Sequence, residues 1–365
     1  MRDFRVGLTH DFLTPSGDVA MGDIGIRKLQ DLPHVSTEFL PELLPEVSPQ
    51  QVAGYDAIIS LAPAYTRRTL SDDNPQLSIL ARVGVGYDML DMEALSDRNV
   101  IVTITPDGVR RPMATGIASL VLALAHQLLP KDRLVRQGAW KERLNIKSIG
   151  LAGLTLGSVG LGNIGREMFR MLQPFQMLHL AADPFVNAQE AAQLGIRLVD
   201  LETLMKQSDF VCVNCPLTPQ TRRLIGAQQL AWLQPSAFFV NTSRGAIVDQ
   251  AALYDALKHS RIRGAALDVF ETEPISASDP LLELDNVIVT PHSLCWTDEC
   301  FRLMGESAVQ SVLDVLQGNA PEHVVNRAVL EKPAMQSKLA ANRIRWQAQV
   351  QGDGLGREGA EADSR

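Results

Sequence analysis

Three glycines and one aspartate carry the clearest chemical signal in this chain. The run Ser158-Val159-Gly160-Leu161-Gly162-Asn163-Ile164-Gly165 is followed, eighteen residues after its last glycine, by Asp183. An apolar stretch, Leu154 to Val159, leads in. An amphipathic pattern follows (Ile164, Met168, Met171, Leu172), and a second apolar stretch, Met177 to Ala182, ends at the acid. Strand, glycine turn, helix, strand and acid in that order form a cradle for a dinucleotide. Gly160 permits the bend, Gly162 lets the backbone approach a pyrophosphate, and Gly165 lets the helix pack on the strand. The free N–H groups of that helix N-terminus then face the phosphates. Asp183 suits the ribose hydroxyls and repels a 2′-phosphate. Pro184-Phe185-Val186 offer no arginine to neutralise one, so the pattern favours NAD over NADP. As plain local structure, Asp183 is a turn or cap residue before Pro184.

Three further segments each end an apolar run: Val240-Asn241-Thr242-Ser243-Arg244-Gly245, Leu267-Asp268-Val269-Phe270-Glu271-Thr272-Glu273-Pro274, and Val289-Thr290-Pro291-His292. Ligands of open α/β sheets bind beyond the carboxyl ends of the strands, so these loops lie where chemistry is expected. A guanidinium offers a fork of donors to an oxyanion or carboxylate. An imidazole exchanges protons near neutral pH, and a carboxylate orients it and favours its charged form. Taken singly, Arg244 also reads as a surface ion pair, Glu273 as a turn residue before Pro274, and His292 as a helix cap.

The elements that must position these groups alternate almost throughout. Strands are expected at Phe4–Leu8, Val35–Leu40, Ala57–Leu61, Ile79–Val83 and Val100–Thr103. A second set is expected at Leu154–Val159, Met177–Ala182, Ile196–Val199, Phe210–Cys215, Ala237–Asn241, Gly264–Val269 and Val287–Thr290. Helical patterns separate most of them: Arg166–Gln173, Ala188–Leu194, Leu201–Gln207, Gln228–Leu233 and Gln250–Lys258. This predicts an α/β protein of two doubly wound parallel sheets, Rossmann- or flavodoxin-like, with an interdomain cleft as the expected active site. The glycine turn lies far from the N-terminus, so another domain folds before it. A helix Pro112–Leu129 is expected to lead to the second domain. A helix Thr297–Gln317, capped by Thr297, is expected to return. The predicted domains are 1–111 plus 296–330, a discontinuous substrate domain; 112–295, the dinucleotide domain; and 331–365, a tail. In the tail Lys332–Val350 is read as a helix, with Leu339, Ile344 and Trp346 as contacts, and Gly352–Arg365 as disordered.

The order GLGNIG, Asp183, Cys215-Pro216-Leu217-Thr218, NTSRG, DVFETEP, TPH resembles the D-isomer-specific 2-hydroxyacid dehydrogenase family. Arg82-Val83-Gly84-Val85-Gly86-Tyr87-Asp88 and Gln137-Gly138-Ala139-Trp140 add to the resemblance, which covers roughly residues 1–327. It implies reversible hydride transfer between NAD(H) and the 2-carbon of a small 2-hydroxy or 2-keto acid, glyoxylate- or hydroxypyruvate-like or a larger sugar acid. Arg244 falls on the family's substrate-anchoring arginine, His292 on its acid–base and Glu273 on the histidine's partner. Asn163 and Ile164 would give N–H groups to the pyrophosphate. Cys215, Pro216 and Thr221 would border the adenosine and ribose, and Thr242 and Ser243 the nicotinamide. Asp268 would accept from the carboxamide, and Thr115 would meet the cofactor from its helix, unless it serves only in packing. The loop Val83–Gly86, with Val85 and Gly86 at its tip, would present N–H groups to the substrate carboxylate. A homodimer is expected, its interface on the apolar segment Pro112–Leu129.

The sequence departs from the family at Met89, at Asn214, where many members have histidine, and at Ser293-Leu294-Cys295-Trp296. Trp296 reads either as a pocket or partner aromatic or as a core residue. Arg110 and Arg111 read as a subsite for a distal anion or as a solvated pair. Two other functions stay open: formate or phosphite oxidation on the same scaffold, and an NAD-sensing, corepressor-like binding protein. Joint retention of Arg244, Glu273 and His292 favours catalysis, because a sensor needs no proton relay.

The bulk properties agree. At 365 residues with 45% hydrophobic content, the chain has length for two domains and their cores, and a net charge of −8 argues against nucleic-acid or anionic-membrane partners. No leader pattern precedes Phe4, so the cytoplasm is the expected location. Four cysteines without zinc spacing read as free thiols, and no metal is expected.

Overall fold

Among the described residues, short apolar runs bounded by turn residues form twelve strands, and every ladder between them is parallel. The computed structural model describes residues 2–70 and 76–362. The chain divides into two units, Met1–Val109 with Thr297–Arg365, and Arg110–Trp296.

In the first unit, β1 (Phe4–Leu8), β2 (Val35–Phe39), β3 (Ala57–Ser60), β4 (Ile79–Arg82) and β5 (Ile101–Thr103) form a five-stranded sheet in the order β2-β1-β3-β4-β5. In the second, β6 (Thr155–Val159), β7 (Leu178–Ala182), β8 (Arg197–Leu198), β9 (Phe210–Val213), β10 (Phe238–Asn241), β11 (Gly264–Leu267) and β12 (Val287–Val289) form a seven-stranded sheet in the order β12-β11-β10-β9-β6-β7-β8. Both are doubly wound. The strand order reverses between β1 and β3 and between β6 and β9, and such a reversal opens a crevice at the strands' carboxyl ends. Each expected strand is present within two residues of its predicted limits.

Strands covered on both faces need apolar side chains in succession. β9, β10 and β11 are buried throughout, and Phe210 stacks on Phe238 with ring centroids 5.1 Å apart. Short polar residues start the covering helices. Asp200 accepts from Thr203 N–H at 2.6 Å, Asp249 from Ala252 N–H at 3.0 Å and Thr297 from Cys300 N–H at 3.1 Å. Each such cap contributes about 1 kcal/mol.

The helix expected to start at Pro112 instead spans Pro106–Ala125, with Pro112 inside it. Pro106 takes the early position where a missing N–H costs nothing, whereas Pro112 cannot donate to the carbonyl four residues back. The helix stops before Gln127, which adopts φ 52°, and a separate helix Leu128–Arg136 follows. The division between units falls inside the first of these helices, between Val109 and Arg110. Among the described residues no single helix is long and apolar enough to cross a membrane.

The last helix, Pro333–Ala362, belongs to the first unit rather than standing apart from residue 331. Met335 and Leu339 are buried. Lys338 Nζ donates to the carbonyls of Leu77 (2.6 Å) and Asn99 (3.0 Å), and Asn342 Nδ2 to that of Val315 (3.1 Å). Arg345 Nη1 lies 3.6 Å from the buried Asp56 carboxylate, which Arg2 also grips. Trp346 is half-buried, but Ile344, expected as a contact, is exposed. The stretch from Gly352, expected to lack structure, is helical as far as Ala362, and residues 363–365 lie outside the described residues.

Candidate active site

The glycine turn leaves the end of β6 at the reversal point of the second sheet. Gly160 adopts φ 95°, and a Cβ there would lie 2.7 Å from the Cys215 nitrogen. Only glycine lets the turn pass so close to the end of β9. A Cβ on Gly165 would approach the Gly160 carbonyl oxygen to 3.0 Å, so the helix Asn163–Leu172 packs tightly on its own turn. Gly162 differs. A Cβ there meets no atom within 4 Å, so the space before this helix N-terminus is open. Open space, free helix N–H groups and a left-handed turn fit a pyrophosphate.

Asp183 holds this turn together as well as facing it. One oxygen accepts from Leu161 N–H at 2.8 Å and the other from Phe185 N–H at 2.9 Å. Each carboxylate oxygen has a second lone pair, which leaves capacity for ribose hydroxyls. Asn214, the departure at the end of β9, donates to Ser158 Oγ at 2.9 Å, and Ser158 Oγ donates to the Gly160 carbonyl at 2.6 Å. This relay ties β9 to the turn. Cys215 is buried, and burial pushes its thiol up to about 11. Pro216 accepts from Thr221 Oγ1 at 2.6 Å. Ser243 Oγ donates to the Cys215 carbonyl, and Thr242 is buried beside it. Thr115 is exposed, and its hydroxyl donates to the Arg111 carbonyl of its own helix at 2.9 Å.

The second cluster stands at the ends of β10, β11 and β12. His292 Nδ1 lies 2.7 Å from Glu273 Oε2, and Glu273 Oε1 accepts from Phe270 N–H at 2.9 Å. Burial pushes the Glu273 carboxyl up. The bonds from His292 and Phe270 N–H and the charges of His292 and Arg244 outweigh it and hold the group below the ordinary carboxylate value. Arg244 is half-buried, and its Nη1 donates to the Ser243 carbonyl at 2.9 Å. Asn241, at the end of β10, holds this segment by donating to the Arg244 carbonyl at 3.0 Å and accepting from Ser243 N–H at 3.1 Å. The structure thus brings guanidinium, carboxylate and imidazole from three loops onto one edge of the sheet that carries the glycine turn.

Sequence reasoning missed the support at Gly245 and gave Asp268 only the role of acceptor from the carboxamide, whereas its carboxylate is taken up by the protein's own donors. A Cβ on Gly245 would fall 1.9 Å from Phe270 carbonyl atoms, so the Arg244 loop and the Glu273 loop meet backbone to backbone. Its place beside Arg244 in the motif was the available signal. Asp268 is fully buried, and its Oδ1 accepts from Thr290 Oγ1 (2.6 Å), Ser293 N–H (3.1 Å) and Leu294 N–H (3.2 Å). It anchors the segment around His292.

In the first unit, the loop after β4 differs from expectation at two positions. Val83 N–H donates to the Ser60 carbonyl at 2.8 Å and Gly84 N–H to Thr105 Oγ1 at 2.7 Å, so neither is available to a ligand. Thr105 sits too far along the chain for local pattern to reveal it. Among the described bonds, none uses the N–H of Val85 or Gly86. Arg110 and Arg111 are exposed, as is Trp296, which is therefore not a core residue of its unit. Cys212 and Cys215 are free thiols, and the described residues contain no His/Cys/Asp/Glu group able to hold a metal.

The family model for the D-isomer specific 2-hydroxyacid dehydrogenase NAD binding domain matches residues 118–293. A glyoxylate reductase of Korarchaeum cryptofilum is 37% identical over 285 residues, covering 77% of this chain and 86% of the relative. The chain belongs to the D-isomer-specific 2-hydroxyacid dehydrogenases. A D-3-phosphoglycerate dehydrogenase of Methanocaldococcus jannaschii is also 37% identical, over 278 residues and 76% of this chain, but the chain spans only 53% of that relative's length. The crystal structure of the TT0316 protein from Thermus thermophilus superposes with a TM-score of 0.77 at 30% identity, covering 88% of this chain and 99% of that one. Membership of the dehydrogenase family assigns the cofactor as NAD, and the glycine turn with Asp183 is where the second unit would hold it.

Proposed function

We propose that the chain catalyses reversible hydride transfer between NAD(H) and the 2-carbon of a small 2-hydroxy or 2-keto acid. The observation that carries the proposal is the 2.7 Å bond between His292 and Glu273, beside Arg244, on the sheet edge that bears the glycine turn. When bound, the nicotinamide supplies or accepts the hydride. The chain's own residues do the rest. Arg244 offers paired donors to the substrate carboxylate or carbonyl oxygen and polarises it. Glu273 engages His292 Nδ1, which leaves Nε2 to give a proton to the developing alkoxide. In the oxidative direction the same nitrogen takes the hydroxyl proton. The Val85 and Gly86 N–H groups are proposed to bind the substrate carboxylate.

The test is NADH oxidation with a series of 2-keto acids of increasing size, beginning with glyoxylate and hydroxypyruvate. Arg244→Ala and His292→Ala should each lower kcat/KM by about a hundredfold or more, the scale of a lost general acid. Native turnover in either variant refutes the assignment. Tight NADH binding without turnover on any acid would favour the sensor. We also propose a two-fold homodimer: most apolar side chains of the expected segment Pro112–Leu129 are buried within the chain, so the proposed contact uses its exposed Leu128 and Leu129 with Val135, Trp140 and Leu144 beyond it, and sedimentation would reveal it.

A further inference from the structure

His292 adopts φ 53°, a left-handed conformation that a side chain does not favour. Nothing in its own bond to Glu273 enforces this. His292 N–H donates to the Thr290 carbonyl at 3.1 Å, and two contacts further along the loop hold the segment that follows. Leu294 N–H lies 3.2 Å from both oxygens of the buried Asp268 carboxylate, and Ser293 N–H lies 3.1 Å from one of them. Successive N–H groups closing on one anion form a nest, and here the anion belongs to the protein. The side chain of the same Leu294 presses on the helix Pro106–Ala125 at Gly116. A Cβ on Gly116 would lie 2.6 Å from Leu294 Cγ, 2.9 Å from Cδ2 and 3.3 Å from its carbonyl oxygen. Leu294 is thus gripped through its backbone by Asp268 and through its side chain by the groove at Gly116, two residues beyond the imidazole.

We infer that Gly116 and Leu294 are positioning residues for His292: the knob of Leu294 in the gap left by Gly116 holds the loop on Asp268 and so aims the imidazole. No described hydrogen bond joins either residue to His292 or Glu273. The inference rests on the proposed role of His292, and its test separates the two.

The experiment compares the wild type, Gly116→Ala, Leu294→Ala and the double variant by amide hydrogen exchange and by turnover of NADH with glyoxylate across pH. Gly116→Ala should speed exchange at Ser293 and Leu294 about tenfold or more, because a lifted loop opens locally. It should lower kcat about tenfold or more while NADH affinity is unchanged, the scale of a misplaced catalytic group. It should also alter the pH profile of kcat. Removing the knob should relieve the clash, so the double variant must match Leu294→Ala in both kcat and exchange. Unchanged exchange in Gly116→Ala, or a double variant that does not match Leu294→Ala, overturns the inference. Should Gly116→Ala not fold, Leu294→Ala decides alone: both amides must exchange faster than in the wild type, and equal rates refute the clamp. If no acid is turned over by the wild type, the proposed function fails, and the exchange arm still decides the clamp.

Discussion

Gly162→Ala separates holding a cofactor from holding the fold. Gly162 is the N-cap of the helix Asn163–Leu172, with φ −77° and ψ −165°, which any L-residue can adopt. Its Cβ would meet nothing within 4 Å. The remaining cost to the fold is that of alanine at an N-cap, about 1 kcal/mol. For a unit of this size that lowers Tm by about 2–4 °C. The added methyl would instead occupy the space into which a pyrophosphate must come to reach the Asn163 and Ile164 N–H groups. A hydrogen bond to a charged group contributes about 1.5–3 kcal/mol, and every 1.4 kcal/mol is about tenfold in affinity. One lost phosphate bond therefore raises the NADH Kd about 10- to 150-fold. Gly160→Ala is the counterpart. At φ 95°, with a Cβ 2.7 Å from Cys215 N, it forces both a left-handed alanine and an overlap with backbone. Those terms are about 1–2 and 1–3 kcal/mol. Calorimetry and NADH fluorescence titration on both variants decide the matter. Gly162→Ala must lose affinity while keeping its Tm to within those few degrees, and Gly160→Ala must lose Tm well beyond them. A Gly162→Ala protein that binds NADH as the wild type does would refute the assignment of the turn.

Gly245→Ala should destabilise by at least about 3 kcal/mol, since the overlap is with Phe270 and Glu271 backbone that cannot turn aside; thermal melting checks it. Glu273 has a folded-state value below the ordinary carboxylate one, so its contribution to stability is full above about pH 4.3 and is lost as pH falls through the folded value. Glu273→Gln should remove that acid dependence, seen as a flatter Tm against pH. It should also cost turnover about fivefold, since a partly exposed charged bond is worth only about 1 kcal/mol after screening. Truncation after Glu331 strips Leu77 and Asn99 carbonyls of Lys338, Asp56 of Arg345, and the core of Met335 and Leu339. The shortened chain should melt at least about 5 °C lower, as loss of two buried apolar side chains implies. An unchanged Tm would show that the last helix contributes nothing to the first unit.

What was legible in the sequence was whatever one stretch of chain decides by itself. Gly160, Gly165 and Thr297 do in the structure what their types and neighbours require, because a turn, a close approach and a cap are set within a few residues. Buried parallel strands announce themselves as apolar runs, and so the two sheets were readable in full. What failed involved a partner far along the chain or the choice between neighbouring positions of one helix. Gly84 looks like a free amide until Thr105 takes it, and Ile344 looks like a core contact until the helix turns Leu339 and Asn342 inward instead. Pro112 resembles a helix start only while Pro106 is ignored.

The same distinction explains the candidate site. Arg244, Glu273 and His292 are each ordinary at their own position, and their chemistry comes from contacts that no local pattern encodes. Gly245 brings two loops together by having no side chain, and Asp268 draws the His292 loop inward by satisfying its amides. The 2.7 Å relay bond is exposed to solvent on one side and contributes little to stability. Its geometry must therefore be imposed by groups that are buried. That is a reason to expect substitutions at Asp268, Gly116 or Gly245 to damage turnover as severely as substitutions in the relay, although none of the three exchanges a proton.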